Sequence, residues 1–424
     1  MAETTMNELV KIRTTCRLCG STRLVCSVKL TDVPIVSPNV GTESGKSGER
    51  LTRVVAPLSN YLCEDCGLIQ LVHIVDPALL YRNYLYRTAV SLGLADHFRR
   101  LSETVIARAE LKPNDLVVEF GSNDGTLLSF FRNAGQRVQG IDPAEQIAAE
   151  ATARGIPTRA DFFGPAVAQE IREQSGAARA VISNNAMANI DDLTAILAGV
   201  KAVMAPDGVF VFETQYALDV YEKTLLDVIY HEHISIFAVQ PVVRAFVQHG
   251  LTVFDAEPIP TKGGSIRFWV QHAGGPKPVA ARVQELIELE QRKGLYDLAY
   301  YRRFSDKIAC IKADLHALIA EARATSRPVA AYGTSVGCAA LIHQFELEDK
   351  LDLLFDDTPF KARLDGPGYD LPVYTAEGVS QHDPALIVIL AWRYADPIIA
   401  KHAAYLQRGG RFVIPLPDIS VRAG

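Results

Sequence analysis

Apolar positions along this chain fall into two alternating patterns, and the alternation predicts an α/β protein. Short continuous apolar runs bounded by turn residues read as buried strands. Stretches with a 3.6-residue apolar period read as helices. Residues 92–110 form an amphipathic helical stretch, and 116–120 is an apolar run with an acid near its end. A helix at 127–133 follows, then a strand at 137–142, a helix at 143–153 and a short third strand before Asp161. Runs at 180–183 and 208–213 read as a fourth and fifth strand, and a further strand opens at Gly263-Gly264 and ends near Val270. Gly274-Gly275-Pro276 breaks the series, and helical periodicity then continues to Ala324. A second α/β unit begins at Pro328, with strands at 329–332, 351–355, 385–390 and 411–414. The expected organisation is an N-terminal unit (1–75), an aromatic connector and helix (76–110), a Rossmann-like domain (111–273), and a helical linker leading to a second Rossmann-like domain (274–424).

The loop after the first strand of the central series carries the most chemistry. It reads Glu119-Phe120-Gly121-Ser122-Asn123-Asp124-Gly125, with Gly121 and Gly125 bracketing a tight turn. Ser122, Asn123 or Asp124 can cap the helix behind it. The pattern is neither the dinucleotide fingerprint nor the phosphate loop, and an acid here would repel phosphate. An acidic strand end with open backbone suits a ligand such as S-adenosylmethionine, which carries an amino-acid head and a sulfonium. An ordinary strand-to-helix turn is the plain alternative.

Further polar residues stand where strands end, facing the ligand crevice of an open α/β sheet. Asp142 is placed to accept from two ribose hydroxyls, or to cap the following helix. Asp161-Phe162-Phe163 could pair an adenine edge and cover its face. Asn184 to Asn189 and Glu213-Thr214-Gln215 end the fourth and fifth strands. Tyr230-His231-Glu232-His233 clusters acid–base groups. A His beside a Glu can serve as a base near neutral pH, and a buried polar network is the alternative. Lys262-Gly263-Gly264-Ser265-Ile266-Arg267 could bring backbone amides to a ligand, or simply turn a hairpin. In the second α/β unit, Gly333-Thr334-Ser335-Val336-Gly337 opens a helix whose N-terminus suits a diphosphate. The tyrosines of the connector, Tyr81, Tyr84 and Tyr86, could line a pocket, although packing at a domain interface is the favoured reading.

Four of the seven cysteines sit in two Cys-x-x-Cys-Gly knuckles, Cys16/Cys19 and Cys63/Cys66, with 43 residues between them. Four thiolates from two tight turns match a closed tetrahedral Zn²⁺ site. The net charge of −6 argues against a nucleic-acid partner. No apolar run reaches membrane-spanning length, and no secretory signal opens the chain, so a cytoplasmic location is expected.

Taken together, these motifs resemble the sugar C-methyltransferases that act on nucleotide-linked deoxysugars, in order and over nearly the whole chain. The residues carrying the resemblance are the zinc knuckles with Cys-Gly-Leu-Ile-Gln at 66–70, the G-S-N-D-G loop at 121–125, Asp227 to His233 as D-x-x-Y-H-E-H, and Gly263 to Arg267 as G-G-S-x-R. Tyr332-Gly333 and Asp356 through Lys361 resemble that family's C-terminal domain. The resemblance implies methylation of a ring carbon, C3 in the favoured case, next to a 4-keto group. The cofactors would be S-adenosylmethionine and a structural zinc, and the acceptor a nucleotide-linked sugar, with dTDP a candidate carrier. It implies His233 as base, with Glu232 and Tyr230 orienting it or holding the sugar, and Tyr84 and Tyr86 approaching the ring. Glu119, Gly121, Asn123, Asp124, Gly125, Asp142, Asp161, Phe162 and Asn184 would hold the cofactor. His231, Lys262, Gly264, Ser265 and Arg267 would hold the acceptor, with Gly333, Thr334, Ser335, Asp356 and Lys361 on its nucleotide part.

Three positions depart from that family's pattern. Asn189 stands where a His is usual, no Lys occupies the 333–338 turn, and Ala391-Trp392-Arg393-Tyr394 replaces a Trp-Asn pair. O- or N-methylation, or a binding module that keeps the fold without the chemistry, are the competing readings. No nucleic-acid or membrane partner is expected, and a monomer is slightly favoured over an oligomer.

Overall fold

The computed structural model describes residues 9–35, 54–82, 87–88, 93–358 and 371–424. Three strands of the N-terminal unit are β1 (Leu24–Val28), β2 (Asn60–Cys63) and β3 (Ile69–Leu71). Helix α1 (Leu94–Arg108) leads into the central domain. It stops where Glu110 takes a left-handed φ of 54°, two residues short of the expected end.

The central domain contains β4 (Leu116–Phe120), helix α2 (Thr126–Asn133), β5 (Arg137–Ile141), β6 (Thr158–Arg159), β7 (Ala178–Asn184) and β8 (Met204–Gln215). After a short strand β9 (Ser235–Ile236) come β10 (Leu251–Ile259) and β11 (Ser265–His272). The sheet order is β6-β5-β4-β7-β8-β11-β10. The first five strands are parallel, and β10 and β11 form an antiparallel hairpin beside β8. Every residue of β4 is buried, because helices cover both faces of the sheet; this is why its sequence is a continuous apolar run without alternation. Phe210, Phe212 and Phe268 stack on one face, while Val117, Ile182, Val211 and Trp269 pack against α1 and α2 on the other. Strand β8 runs longer than the apolar pattern suggests, because a register shift lets Met204 pair with Ala178.

Helix α3 (Leu298–Arg323) connects to the C-terminal domain, where β12 (Val329–Tyr332) feeds helix α4 (Val336–Gln344). The remaining strands are β13 (Leu353–Asp356), β14 (Val373–Thr375), β15 (Leu386–Ile389), β16 (Arg411–Ile414) and β17 (Ser420–Ala423), in the order β14-β13-β12-β15-β16-β17. Two Rossmann-like units are therefore present, as the element pattern predicts.

The three units are tied together around one loop. Strand β9, directly after His233, pairs antiparallel with β3 and so extends the N-terminal sheet. On the opposite side Arg393 reaches from the C-terminal domain to Asp227, with Nη1 2.6 Å from Oδ2. Gln344 of α4 exchanges two hydrogen bonds with the backbone of Thr31, at 2.9 and 2.8 Å. The segment carrying Tyr230 to His233 is thus held by all three units.

Candidate active site

The four knuckle cysteines converge. All their sulfurs lie within 4.8 Å of one another, with Cys16–Cys66 and Cys19–Cys63 at 3.6 Å. A tetrahedron with Zn–S bonds of about 2.3 Å has edges of about 3.8 Å, so the donor set fits zinc with no position left open for substrate. Gly67 follows its knuckle at φ 91°, and a Cβ there would fall 2.5 Å from the Tyr296 ring. Inside the first knuckle, the buried Arg17 guanidinium donates to the carbonyls of Ile234 and Leu71 and to Ser235 Oγ. This link from the metal site to the residues after His233 is invisible in the sequence, where Arg17 is only a spacer between cysteines.

At the carboxyl end of β4 the side chain of Glu119 is buried, and its Oε2 has no partner among the described residues. Burial, with Asp142 and Asp124 nearby, holds its carboxyl well above the usual range. Gly121 has φ 68°, and a Cβ there would meet that of Ala186 at 2.5 Å. Asp142 accepts from the backbone N–H of Asn123 (2.8 Å) and of Ala144 (3.0 Å), so it ties the glycine loop to the turn that leads into the next helix, without itself capping that helix. Asp124 accepts from Thr126 N and Oγ1, while Asn123 Oδ1 accepts from Thr88 N. Gly125, at φ 73°, is the residue before α2. Asp161 caps Phe162, which is 38% exposed, whereas Phe163 turns inward and stacks on Phe120 at 4.6 Å. Of the two phenylalanines, then, only Phe162 faces outward.

Further along the same sheet edge, Asn184 Nδ2 donates to Glu213 Oε2 at 2.8 Å. Glu213 also pairs with His97 Nε2 (2.6 Å) and Arg267 Nε (2.7 Å). Burial alone would raise its carboxyl, but His97 and Arg267 outweigh it and pull it below the ordinary value. The sequence marks Glu213 as a strand-end acid; its partner His97 lies 116 positions away on α1 and carries no local signal. Arg267, expected on the acceptor, is committed to Glu213 and Glu257. Ser265 Oγ donates to Thr261 O, and Gly264 lies against Asp219 with no room for a side chain.

His233 is buried. Its Nδ1 lies 2.8 Å from the carbonyl of Val228, which can only accept, so the proton belongs on Nδ1 and the lone pair on Nε2. Nε2 is 3.1 Å from Tyr230 Oη. Burial, together with Lys262, pushes His233 down to about 3, so its imidazole is neutral at physiological pH. The backbone carbonyl of Glu232 accepts from Tyr81 Oη (3.3 Å), and Asn189 lies against the same hydroxyl. Tyr81 therefore joins the site, while Tyr84, Tyr86 and Lys361 lie outside the described residues. His231 turns away from His233: its Nε2 bonds Ala56 O at 3.2 Å, because the N-terminal unit packs on that side. Its place on the acceptor is not supported by this orientation.

In the C-terminal domain the 333–337 turn is satisfied by its own fold. Thr334 donates through N and Oγ1 to Asp356 Oδ2, and Ser335 caps Cys338. Gly333, at φ 110°, abuts Ala391. Side chains expected on a diphosphate are thus spent internally.

Three family models match in chain order: a zinc binding domain at 16–81, a methyltransferase domain at 89–256 and a C-methyltransferase C-terminal domain at 260–417. C-methyltransferase NovU of Streptomyces niveus is 33% identical over 414 residues, covering 97% of this chain and 98% of NovU. The chain belongs to this C-methyltransferase family. It is an S-adenosylmethionine-dependent C-methyltransferase with a zinc-binding N-terminal domain. Among solved structures, the magnesium protoporphyrin IX methyltransferase of Synechocystis with bound SAM covers 42% of this C-methyltransferase and 79% of its own chain, at 14% identity and a TM-score of 0.33. The glycopeptide N-methyltransferase MtfA with sinefungin covers 41% and 86%, at 14% identity and 0.33. No helix among the described residues is long and apolar enough to cross a membrane.

Proposed function

We propose that this C-methyltransferase methylates a carbon next to the 4-keto group of a nucleotide-linked deoxysugar, at C3, with dTDP as the carrier tested first. The observation that carries this reading is His233: a buried imidazole whose Nδ1 bonds Val228 O, leaving the lone pair on Nε2, beside Gln215 at the end of β8. Carbon becomes nucleophilic only when a proton beside a carbonyl is removed. His233 Nε2 takes that proton, and the C–H electron pair moves onto the keto oxygen as an enolate. Bound S-adenosylmethionine supplies a methyl on a sulfonium, which the carbon captures as the S–CH₃ bond breaks. Tyr230 keeps the imidazole in place, and Tyr81 holds the Glu232 backbone beside it.

On this reading Glu119 meets the cationic part of the cofactor. Its desolvated Oε2, without a partner among the described residues, gains one when the cofactor binds. Glu119→Gln is then expected to raise the cofactor's Kd about 10-fold or more, the size of a lost charge-assisted hydrogen bond. Calorimetric titration reads this, and unchanged affinity would remove Glu119 from the cofactor site. Asp142, Asp161 and Phe162 complete the cofactor contacts.

The test of the whole reading is mass spectrometry of the protein with S-adenosylmethionine and dTDP-, UDP- and GDP-linked 4-keto-6-deoxyhexoses in deuterated buffer. The expected product carries one methyl on carbon, and the substrate exchanges a ring hydrogen even without the cofactor. A methyl found on oxygen or nitrogen, with no ring exchange, would overturn it.

A further inference from the structure

Resting on the enolate reading above, we propose that Lys262 is the cation that receives the developing enolate oxygen opposite His233. Lys262 lies on the Thr261–Gly263 turn that joins β10 to β11. Its backbone is left-handed, at φ 53° and ψ 29°, a conformation that a residue with a side chain rarely adopts. The surroundings enforce it. Thr261 O accepts from Gly264 N and Ser265 Oγ, and Lys223 Nζ donates to Gly263 O. The turn is therefore held in place, and it stands beside the histidine loop, because Ser265 pairs with Gln215, whose amide lies 3.5 Å from the His233 ring.

The neighbouring cations are already committed. Arg267 pairs with Glu213, Arg393 with Asp227, and Lys223 with Asp219. Lys262 has no hydrogen bond or ion pair among the described residues. The residue is exposed, and it lies within electrostatic range of Arg393 of the C-terminal domain, Glu213 of β8, and Glu232 and His233 of the loop. The Asp219–Lys223 pair lies beneath the turn.

The charge logic favours the transition state. In the resting site Lys262 is charged and His233 neutral, and each disfavours a positive charge on the other. Once His233 has taken the carbon proton, both are cations. That arrangement is stabilised only if a negative charge forms between them, and the enolate oxygen is that charge. Groups aimed at charge that develops during reaction accelerate it, because they bind the transition state better than the substrate. Asn189 has an amide that can donate but carries no charge, which leaves the electrostatic part of this task to Lys262.

Although the residue as a whole is exposed, protein packed around its ammonium, together with Arg393, pushes Lys262 down to about 8. Its charge is present below that value and lost as pH rises through it. Ring-hydrogen exchange at saturating substrate should therefore fall above about pH 8.

The experiment compares the wild-type protein with Lys262→Met, Lys262→Gly and Lys262→Arg, using a dTDP-linked 4-keto-6-deoxyhexose in deuterated buffer. Glycine suits the left-handed backbone, so that variant removes the side chain without straining the turn. Cofactor affinity and zinc content report folding. The Met and Gly variants are expected to lose about 100-fold or more in ring exchange and methyl transfer at saturation, with substrate Kd changed by less than about threefold. Lys262→Arg is expected to retain part of the rate and to move the alkaline limb upward. Full exchange rates at saturation with Kd weakened more than about tenfold would overturn the proposal and make Lys262 a phosphate ligand. A wild-type protein that exchanges no ring hydrogen of the dTDP, UDP or GDP sugars overturns the enolate reading itself. A wild-type protein that exchanges, with variants that exchange equally, overturns the role of Lys262 alone.

Discussion

His233→Ala is expected to reduce methyl transfer by about 10³-fold or more while leaving cofactor affinity within about twofold. On the proposed reading the imidazole is the base, and its Nδ1–H is already spent on Val228 O, so no second tautomer competes. The glycine loop follows β4, whereas His233 lies beside Gln215 at the end of β8, two strands along the sheet. Steady-state kinetics with calorimetric titration of S-adenosylmethionine separates the two effects. Loss of both activity and cofactor binding would indicate collapse of the loop and not loss of a base. The pH profile carries a second signature. Because burial and Lys262 hold His233 near 3, it stays neutral across the physiological range, and no acid limb from it should appear between pH 5 and 7. Stability shows the opposite sign. Unfolded, this histidine takes a proton near 6.5; folded, it does not until about 3. Stability is complete above 6.5 and is lost as pH falls toward 3. His233→Ala should therefore be inactive yet less sensitive to acid unfolding than the wild-type protein, as read from denaturation midpoints at pH 4 and 7.

What could be read from the chain depends on the range over which each feature is specified. Zinc ligands come in local pairs because one tight turn supplies two sulfurs, so Cys16/Cys19 and Cys63/Cys66 are legible without knowing the fold. The apolar runs of β4 and β7 and the strand-end acids Glu119 and Asp142 are legible for a similar reason, since the sheet's period and its crevice are written locally. The cross-domain contacts are not. Arg17 reaches Ile234 across 217 positions, and Arg393 reaches Asp227 across 166. Topology sets those partners, and no periodicity reports them. Residues whose chemistry suits two tasks are ambiguous in the sequence. Arg267, Thr334 and Ser335 have ligand-binding chemistry, but the fold uses their donors for Glu213, Asp356 and Cys338. Phe162 and Phe163 are adjacent and chemically identical, and only the position of Phe120 decides which one turns inward.

Zinc removal is expected to do more than unfold the N-terminal unit. A closed four-cysteine site contributes on the order of 10 kcal/mol to the fold that contains it, so chelation should release one zinc and abolish the strand pairing of β1, β2 and β3. The consequence for the active site follows from Arg17 and β9. Arg17 sits between two zinc ligands and holds the Ile234 carbonyl, while β9 completes the N-terminal sheet through Ser235 and Ile236. Once the knuckle opens, the chain directly after His233 loses both supports. The central sheet has its own strand ladder and a stack of Phe120, Phe210 and Phe212 on its face. The expected result is loss of methyl transfer with cofactor binding largely retained, and faster amide exchange across 230–236 than across 116–120. Cys66→Ser should reproduce it, whereas Cys26→Ser should not, because Cys26 is exposed and lies outside the sulfur cluster. Amide exchange at 230–236 unaltered by chelation would show that the C-terminal clamp, Arg393 on Asp227, is enough to hold the loop, and that the zinc domain serves only its own stability.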